Sequence, residues 1–291
     1  MKKLTKLLTT LCLGAVICIP AFTLTACNKY DPNDPNTIII GASVTPHAEI
    51  LKDAVKAELE NQGYKVAIYE YTDYVQPNTA LENGDINANY FQHIKYLTEF
   101  NNDYNTHLTS VLGVHYEPFG IYKGDKLSSN SLSDLADSAT VVVPNDVTNE
   151  ARALNLLQKA GLITLSPDAD PLLATKNDII SNPKHLNIKE VAAEMCATSL
   201  PDCAISVING NYALDAGLSL NNALLTEDAT DDAVAQYVNV IAVKQGHEND
   251  AKIQALVKAI KTVKVKKYIN NKYPGAVVPV FEIEELEAAI A

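Results

Sequence analysis

Arginine is all but missing from this 291-residue chain: Arg152 is the only one, and every other fixed side-chain cation is a lysine. Base is scarce overall, with 23 Lys+Arg against 35 Asp+Glu and a formal net charge of −12. Such an excess of acid argues against nucleic acid as a partner and against peripheral binding to anionic lipid. Common enzyme motifs are missing too. There is no G-x-S-x-G elbow, no Walker loop and no G-x-G-x-x-G turn, so the sequence gives no sign of a serine-hydrolase elbow, a P-loop or a dinucleotide fold. The six histidines, His47, His93, His107, His115, His185 and His247, contain no H-E-x-x-H pair. No local cluster supplies a zinc site, and neither metal nor cofactor is expected.

Cysteine is also sparse, and its placement is informative. Lys2, Lys3 and Lys6 precede an apolar run from Leu7 to Leu24, which ends in Leu24-Thr25-Ala26-Cys27. Small residues before a cut and a cysteine just after it make a lipoprotein signal-peptidase site. An uncleaved anchor helix is the alternative, since about 18 apolar residues can span a bilayer. The cysteine at the end of the run favours residues 1–26 as a signal peptide and Cys27 as the lipidated residue. Lipidation would hold a soluble domain at a membrane outside the cytoplasm, through the acyl anchor only. Of five cysteines, Cys12 and Cys18 leave with the signal, and only Cys196 and Cys203 remain as a possible disulfide. Sequence spacing does not establish their proximity, so the bridge stays open.

Residues 27–36 are rich in Asn, Asp and Pro and read as a flexible tether. Beyond them, β-branched runs alternate with amphipathic stretches. Strands are predicted over Thr37–Ala42, Val66–Tyr71, Ala139–Pro144, Ile205–Ile208 and Tyr237–Val243. Helices are predicted over Pro46–Gln62, Asn149–Ala160 and Ala251–Asn271, with Gly63 and Gly161 as stops for the first two. This alternation implies an α/β protein with open, largely parallel sheets and helices on both faces. The length suits two lobes: 37–118 with 240–291, and 119–239. Stretches near Val114–Lys123 and Tyr237–Lys244 would cross between them, with a ligand cleft outside the carboxyl ends of strands.

Three clusters could line that cleft. Arg152 lies one turn into a predicted helix, where the guanidinium fork and the helix N-terminus both suit a carboxylate. A surface ion pair with Glu150 or another nearby acid is the ordinary alternative. Tyr74-Val75-Gln76-Pro77-Asn78 and Asn89-Tyr90-Phe91-Gln92-His93 place aromatics beside amides and an imidazole, as a small-molecule pocket needs. One of Tyr90 and Phe91 is expected in the core instead. Asn209, just past a predicted strand, is either a polar ligand contact or a helix N-cap.

Thr45-Pro46-His47-Ala48-Glu49-Ile50-Leu51, Thr72-Asp73-Tyr74-Val75-Gln76-Pro77-Asn78, Ala88-Asn89-Tyr90-Phe91-Gln92-His93 and Val143-Pro144-Asn145-Asp146 carry a family resemblance. It continues through Thr148-Asn149-Glu150, Arg152-Ala153-Leu154, Leu156-Leu157-Gln158-Lys159-Ala160-Gly161-Leu162 and Val207-Ile208-Asn209-Gly210-Asn211-Tyr212-Ala213. Together they resemble the NlpA/MetQ-type methionine-binding lipoproteins of ABC importers, over nearly all of the mature chain. The resemblance implies a two-lobe, type II periplasmic-binding-protein-like fold and no enzymatic activity. It implies a monomer that captures L-methionine for an ABC permease and ATPase. Arg152 would then hold the ligand carboxylate, and Asn149, Asn209 and Asn239 the polar end. Tyr74, Phe91 and His93 would line the thioether side, where sulfur–aromatic contacts are favourable. The chain departs from the family pattern at Glu190–Cys196 and at Ala233-Val234-Ala235-Gln236. A methionine-containing dipeptide or another neutral amino acid is the alternative ligand. A surface adhesin or an extracellular hydrolase is the alternative class.

Overall fold

The computed structural model describes residues 30–283. The signal segment and the lipidation expected at Cys27 lie outside the described residues. The chain first lays down β1 (Thr37–Ser43), β2 (Lys65–Tyr71), β3 (Ala88–His93) and β4 (Leu108–Tyr116). It then passes to β5 (Gly120–Lys123), β6 (Thr140–Pro144), β7 (Thr164–Leu165), β8 (Ile179–Ser181), β9 (Asn187–Val191), β10 (Ile205–Ile208) and β11 (Leu225–Thr226). It returns for β12 (Asn239–Lys244) and β13 (Val278–Pro279). One sheet has the order β13-β4-β12-β3-β1-β2 and the other β11-β5-β10-β6-β9, while β7 and β8 pair apart. Each main sheet is the backbone of one lobe.

The sheets are mixed, which corrects the expectation of largely parallel ones. β1 pairs in parallel with β2 and β3, but β12 runs antiparallel to both β3 and β4. In the other sheet β10 is parallel to β6 and antiparallel to β5. A chain that leaves one lobe and later comes back must bring its return strand in against the direction of its neighbours. The first crossing is the short segment 117–119. The second precedes β12, because Thr230 caps a helix over Asp231–Tyr237 and its hydroxyl accepts from Ala233 N–H. Tyr237 therefore ends that helix and does not begin the strand.

Each lobe has its own core. All seven residues of β1 are buried, which requires cover on both faces of the sheet. Ile38 and Ile40 pack with Leu59, Leu256 and Ile260, whereas Ile39 faces Leu81, Leu97 and Val240. In the second lobe Phe119, Val141, Val143, Leu154, Leu157 and Val207 form the equivalent centre. Each fully buried aliphatic side chain contributes about 1.5–3 kcal/mol. The chain runs helically from Pro46 to Asn61, and Gly63 follows at φ 94°. The second predicted helix begins earlier than expected, at Val147, because Asp146 caps it by accepting from Asn149 N–H at 3.0 Å. It ends ahead of Gly161 at φ 71°. The third is two helices, Ala251–Ile260 and Val263–Lys272, broken where Thr262 turns extended (φ −119°, ψ 153°) and caps the second. That second helix, with Lys264, Lys266, Lys267 and Lys272, is a local exception to the acid excess.

From Asp31 onward the stretch expected as tether is held against the first lobe. Lys252 Nζ donates to the carbonyls of Pro32 at 2.7 Å and Thr37 at 3.2 Å, and Asn87 Nδ2 donates to Pro32 O at 2.9 Å. Cys196 and Cys203 are free and buried in one apolar cluster, so the possible disulfide is not formed. Cys196 lies in a short helix of Met195–Thr198, and the Cys203 thiol faces Leu200 O at 3.9 Å.

Candidate functional site

The strand ends meet at the seam between the lobes. Tyr74 follows β2, His93 ends β3 and Glu117 follows β4. Asn149 and Arg152 sit three residues apart at the start of the Val147–Lys159 helix, hence on one face. Asn209 comes just after β10. Asn239 opens β12, where the register sets it beside His93 on one neighbour and His115 on the other. These elements bring all seven residues singled out from the sequence, Tyr74, Phe91, His93, Asn149, Arg152, Asn209 and Asn239, to the wall of one cavity. The lobes are nearly shut on it. The space admits about 20 Å³, room for about one water. A wider groove of about 540 Å³ lies alongside, between Asp73–Val75 and Tyr96–Tyr104 on one lobe and Asn145–Thr148 on the other. Tyr74 and Tyr96 border both spaces.

Arg152 is 3 % exposed and does make an ion pair with an acid, but within the protein and not at its surface. Its partner is Glu227, not Glu150: Nε donates to Oε1 at 2.8 Å and Nη2 donates to Oε2 at 2.6 Å. Nη2 also donates to Glu117 O at 2.7 Å. The guanidinium carbon lies 4.2 Å from the ring centroids of both Phe119 and Tyr237, two cation–π contacts. The fork that suits a carboxylate thus already holds one, and Nη1 takes no part in these bonds. Burial pushes the Glu227 carboxyl up, but the Arg152 charge and the hydrogen bonds it receives outweigh burial and leave it below its usual range.

Asn149 is the hub of the polar side. Its Nδ2 donates to both Asp146 oxygens, at 2.9 and 3.0 Å, and its Oδ1 accepts from His93 Nε2 at 3.2 Å and Asn209 Nδ2 at 3.0 Å. His93 Nδ1 accepts from Tyr96 N–H at 3.0 Å, which fixes its proton on Nε2. Burial, followed by the Arg152 charge, pulls its pKa down to about 3, so the ring is neutral. Asn209 occupies the N-cap position of the next helix without capping it. Its Oδ1 is buried and has no partner.

A second polar group lies behind Asn239, and the sequence reading missed it. His47 Nε2 donates to Asn239 Oδ1 at 3.0 Å, and His115 Nε2 donates to Glu117 Oε1 at 2.6 Å. Tyr90 hydroxyl donates to His115 Nδ1, so Tyr90, not Phe91, is the core-facing member of that pair. Burial lowers His47 to about 4 and His115 to about 3, and raises Glu117. Among the described residues, His47, His115 and Glu117 are the one group whose ligating atoms lie close enough to share a metal ion, within 4.8 Å. The hydrogen bonds above already occupy both His115 nitrogens and Glu117 Oε1, so His115 braces Glu117 at the cavity wall, while His47 Nδ1 is buried with no partner. A hint existed in the sequence: His115 and Glu117 stand two apart at a strand end, hence on one side. Glu227 gave no such hint.

The lining contains no serine, threonine, cysteine or lysine. It offers a cation, an unpaired amide oxygen and the aromatic rings of Tyr74, Phe91 and Tyr96, with Tyr74 at centroid distances of 5.7 Å from each of the others. Among the described residues no helix is long and apolar enough to cross a membrane.

Comparison with known proteins agrees with this architecture. The chain is 39 % identical over 277 residues to the methionine-binding lipoprotein MetQ of Bacillus subtilis, covering 93 % of this chain and 98 % of that one. A nutrient-binding protein from Burkholderia cenocepacia, solved bound to methionine, superposes with a TM-score of 0.78 at 37 % identity, over 84 % of this chain and 100 % of that one. The substrate-binding protein of a methionine transporter from Streptococcus pneumoniae gives 0.79 at 32 %, over 84 % and 96 %. The family model for NlpA lipoproteins matches residues 38–281, nearly everything between the ordered arm and the C-terminus. This chain belongs to the NlpA lipoprotein family.

Proposed function

We propose that this chain captures L-methionine between its lobes, 37–118 with 240–291 and 119–239, and delivers it to an ABC permease and ATPase. The observation that carries the reading is the pairing of a buried cation with an unpartnered buried acceptor on one aromatic-walled cavity. An amino acid brings the complement: a carboxylate for Arg152 and an ammonium for Asn209 Oδ1, with Glu117 close behind. The thioether would lie among Tyr74, Phe91 and Tyr96, with Tyr96 in the place expected for His93, whose Nε2 is bonded to Asn149; each sulfur–aromatic contact contributes about 0.3–1.5 kcal/mol. Support comes also from the methionine held by the Burkholderia cenocepacia relative. An opening of about 20 Å³ does not admit an amino acid, so entry requires the lobes to part at 117–119 and 227–238.

The 540 Å³ groove beside the cavity favours one second reading, a methionine-containing dipeptide that extends past Tyr74. Native mass spectrometry of the purified protein, followed by calorimetric titration after unfolding and refolding to strip bound ligand, separates the two. Methionine recovered and rebound supports the first. A stripped protein that ignores methionine and takes up the dipeptide replaces it with the second.

A further inference from the structure

Glu227 is not among the residues that line the cavity, yet it is the best-satisfied carboxylate near it. Besides Arg152 Nε and Nη2, Tyr116 hydroxyl donates to Oε2 at 2.9 Å and Phe119 N–H donates to it at 3.0 Å. Tyr116 ends β4 and Phe119 belongs to the first crossing, while Glu227 itself begins the second. A single half-buried carboxylate thus ties both inter-lobe connections to the cleft arginine.

Two roles fit a glutamate in this place. It could be a stand-in that the ligand carboxylate displaces, or a fixture that orients the arginine for the ligand. Displacement would strand the Tyr116 hydroxyl, the Phe119 N–H and a half-buried negative charge, each costly to leave unpaired. The rings of Phe119 and Tyr237, each 4.2 Å from the guanidinium carbon, crowd the guanidinium. The side-on bond to Glu227 fixes which of its nitrogens point where. Both hydrogens of Nη2 and the one on Nε are then used, which leaves Nη1 for a ligand.

We propose that Glu227 is the positioning residue of the carboxylate site: it fixes the orientation of Arg152 and presents Nη1 to the ligand. This rests on the reading of Arg152 as the carboxylate contact. A carboxylate therefore meets a single nitrogen whose direction is set from the hinge, so lobe closure and carboxylate recognition depend on the same side chain.

The test compares methionine with methioninamide, which lacks the carboxylate charge, on the full mature protein. The readout is the ratio of the two dissociation constants, which a general loss of stability does not move. Wild type should prefer methionine, and Arg152→Ala should abolish that preference. Glu227→Gln keeps the shape but turns one acceptor into a donor, and the preference should fall about tenfold or more, as for loss of a charge-assisted contact. Should Glu227→Gln fail to fold, Tyr116→Phe removes one donor to Glu227, and the same ratio should fall by a smaller factor. An unchanged ratio in Glu227→Gln (or, if that fails to fold, in Tyr116→Phe), with the preference lost in Arg152→Ala, overturns the role of Glu227 and leaves the clamp standing. A tighter grip on methionine in Glu227→Gln means displacement and also overturns it. A preference that survives Arg152→Ala overturns the clamp itself, and this inference with it.

Discussion

Asn209 donates through Nδ2 to Asn149 Oδ1 at 3.0 Å and leaves its own Oδ1 buried without a partner. A buried amide oxygen left unpaired costs about 1–3 kcal/mol, and a ligand that donates to it recovers that cost. Asn209→Ala should therefore weaken methionine binding by about 1.5–3 kcal/mol, the range for a hydrogen bond to a charged group. It should scarcely affect 4-(methylthio)butanoate, which has no amino group. Calorimetry with both ligands decides the matter, and equal losses for the two would remove Asn209 from the ammonium side.

Glu150 offers a test by pH. Burial first, and then the nearby Glu190 charge, raise its pKa to about 7, although Lys176 N–H donates to it at 2.8 Å. An acid raised on folding loses stability as pH climbs from its unfolded value toward about 7, because the fold then holds an unfavourable charge. Glu150→Gln keeps an acceptor for Lys176 and removes that charge. It should stabilise the protein by about 1 kcal/mol at pH 8, a figure discounted for the solvent that reaches the neighbouring Lys176–Glu190 pair. At pH 4 the gain should vanish. Thermal melts of both proteins across this range measure it, and a gain that persists at low pH contradicts the charge argument.

Cys196 and Cys203 should both react once the protein is unfolded without reductant. In the native state they should be inert, because burial raises their pKa values to about 12 and about 11. Mass-resolved thiol labelling of native and unfolded samples counts them. Labels absent from the unfolded protein until reductant is added would show a bridge.

Much of the fold was legible because its signals are local. The run Ile38-Ile39-Ile40, β-branched throughout and followed by Gly41, reads as a strand covered on both faces, and Gly63 and Gly161 mark the helix ends. Arg152 stood out because it is the sole arginine, and the asparagines through family motifs. What stayed hidden depends on distant partners. Nothing around Glu227 says that it will meet an arginine 75 positions earlier. His47 and His115 each read as an isolated histidine until the sheet register sets Asn239 beside His115 and brings His47 to its amide. The break at Thr262 was missed for another reason: apolar periodicity continues through it, and only its extended backbone and capping hydroxyl show the stop.

The central claim is that Arg152 receives the carboxylate of the ligand. Arg152→Ala also leaves the half-buried Glu227 without its cation, so its melting temperature should fall, and titrations belong at a temperature where circular dichroism shows it folded. Under those conditions methionine binding should weaken by about 2–5 kcal/mol, as when one partner of a buried charged pair is removed. Arg152→Lys should restore only part of the loss, because an ammonium cannot hold Glu227 side-on while also reaching the ligand. Calorimetric titration of methionine into stripped, refolded wild type, Arg152→Ala and Arg152→Lys is the direct measurement. Graded affinities, with wild type tightest and alanine weakest, are the predicted result. A folded Arg152→Ala protein that binds methionine as tightly as wild type would contradict the account.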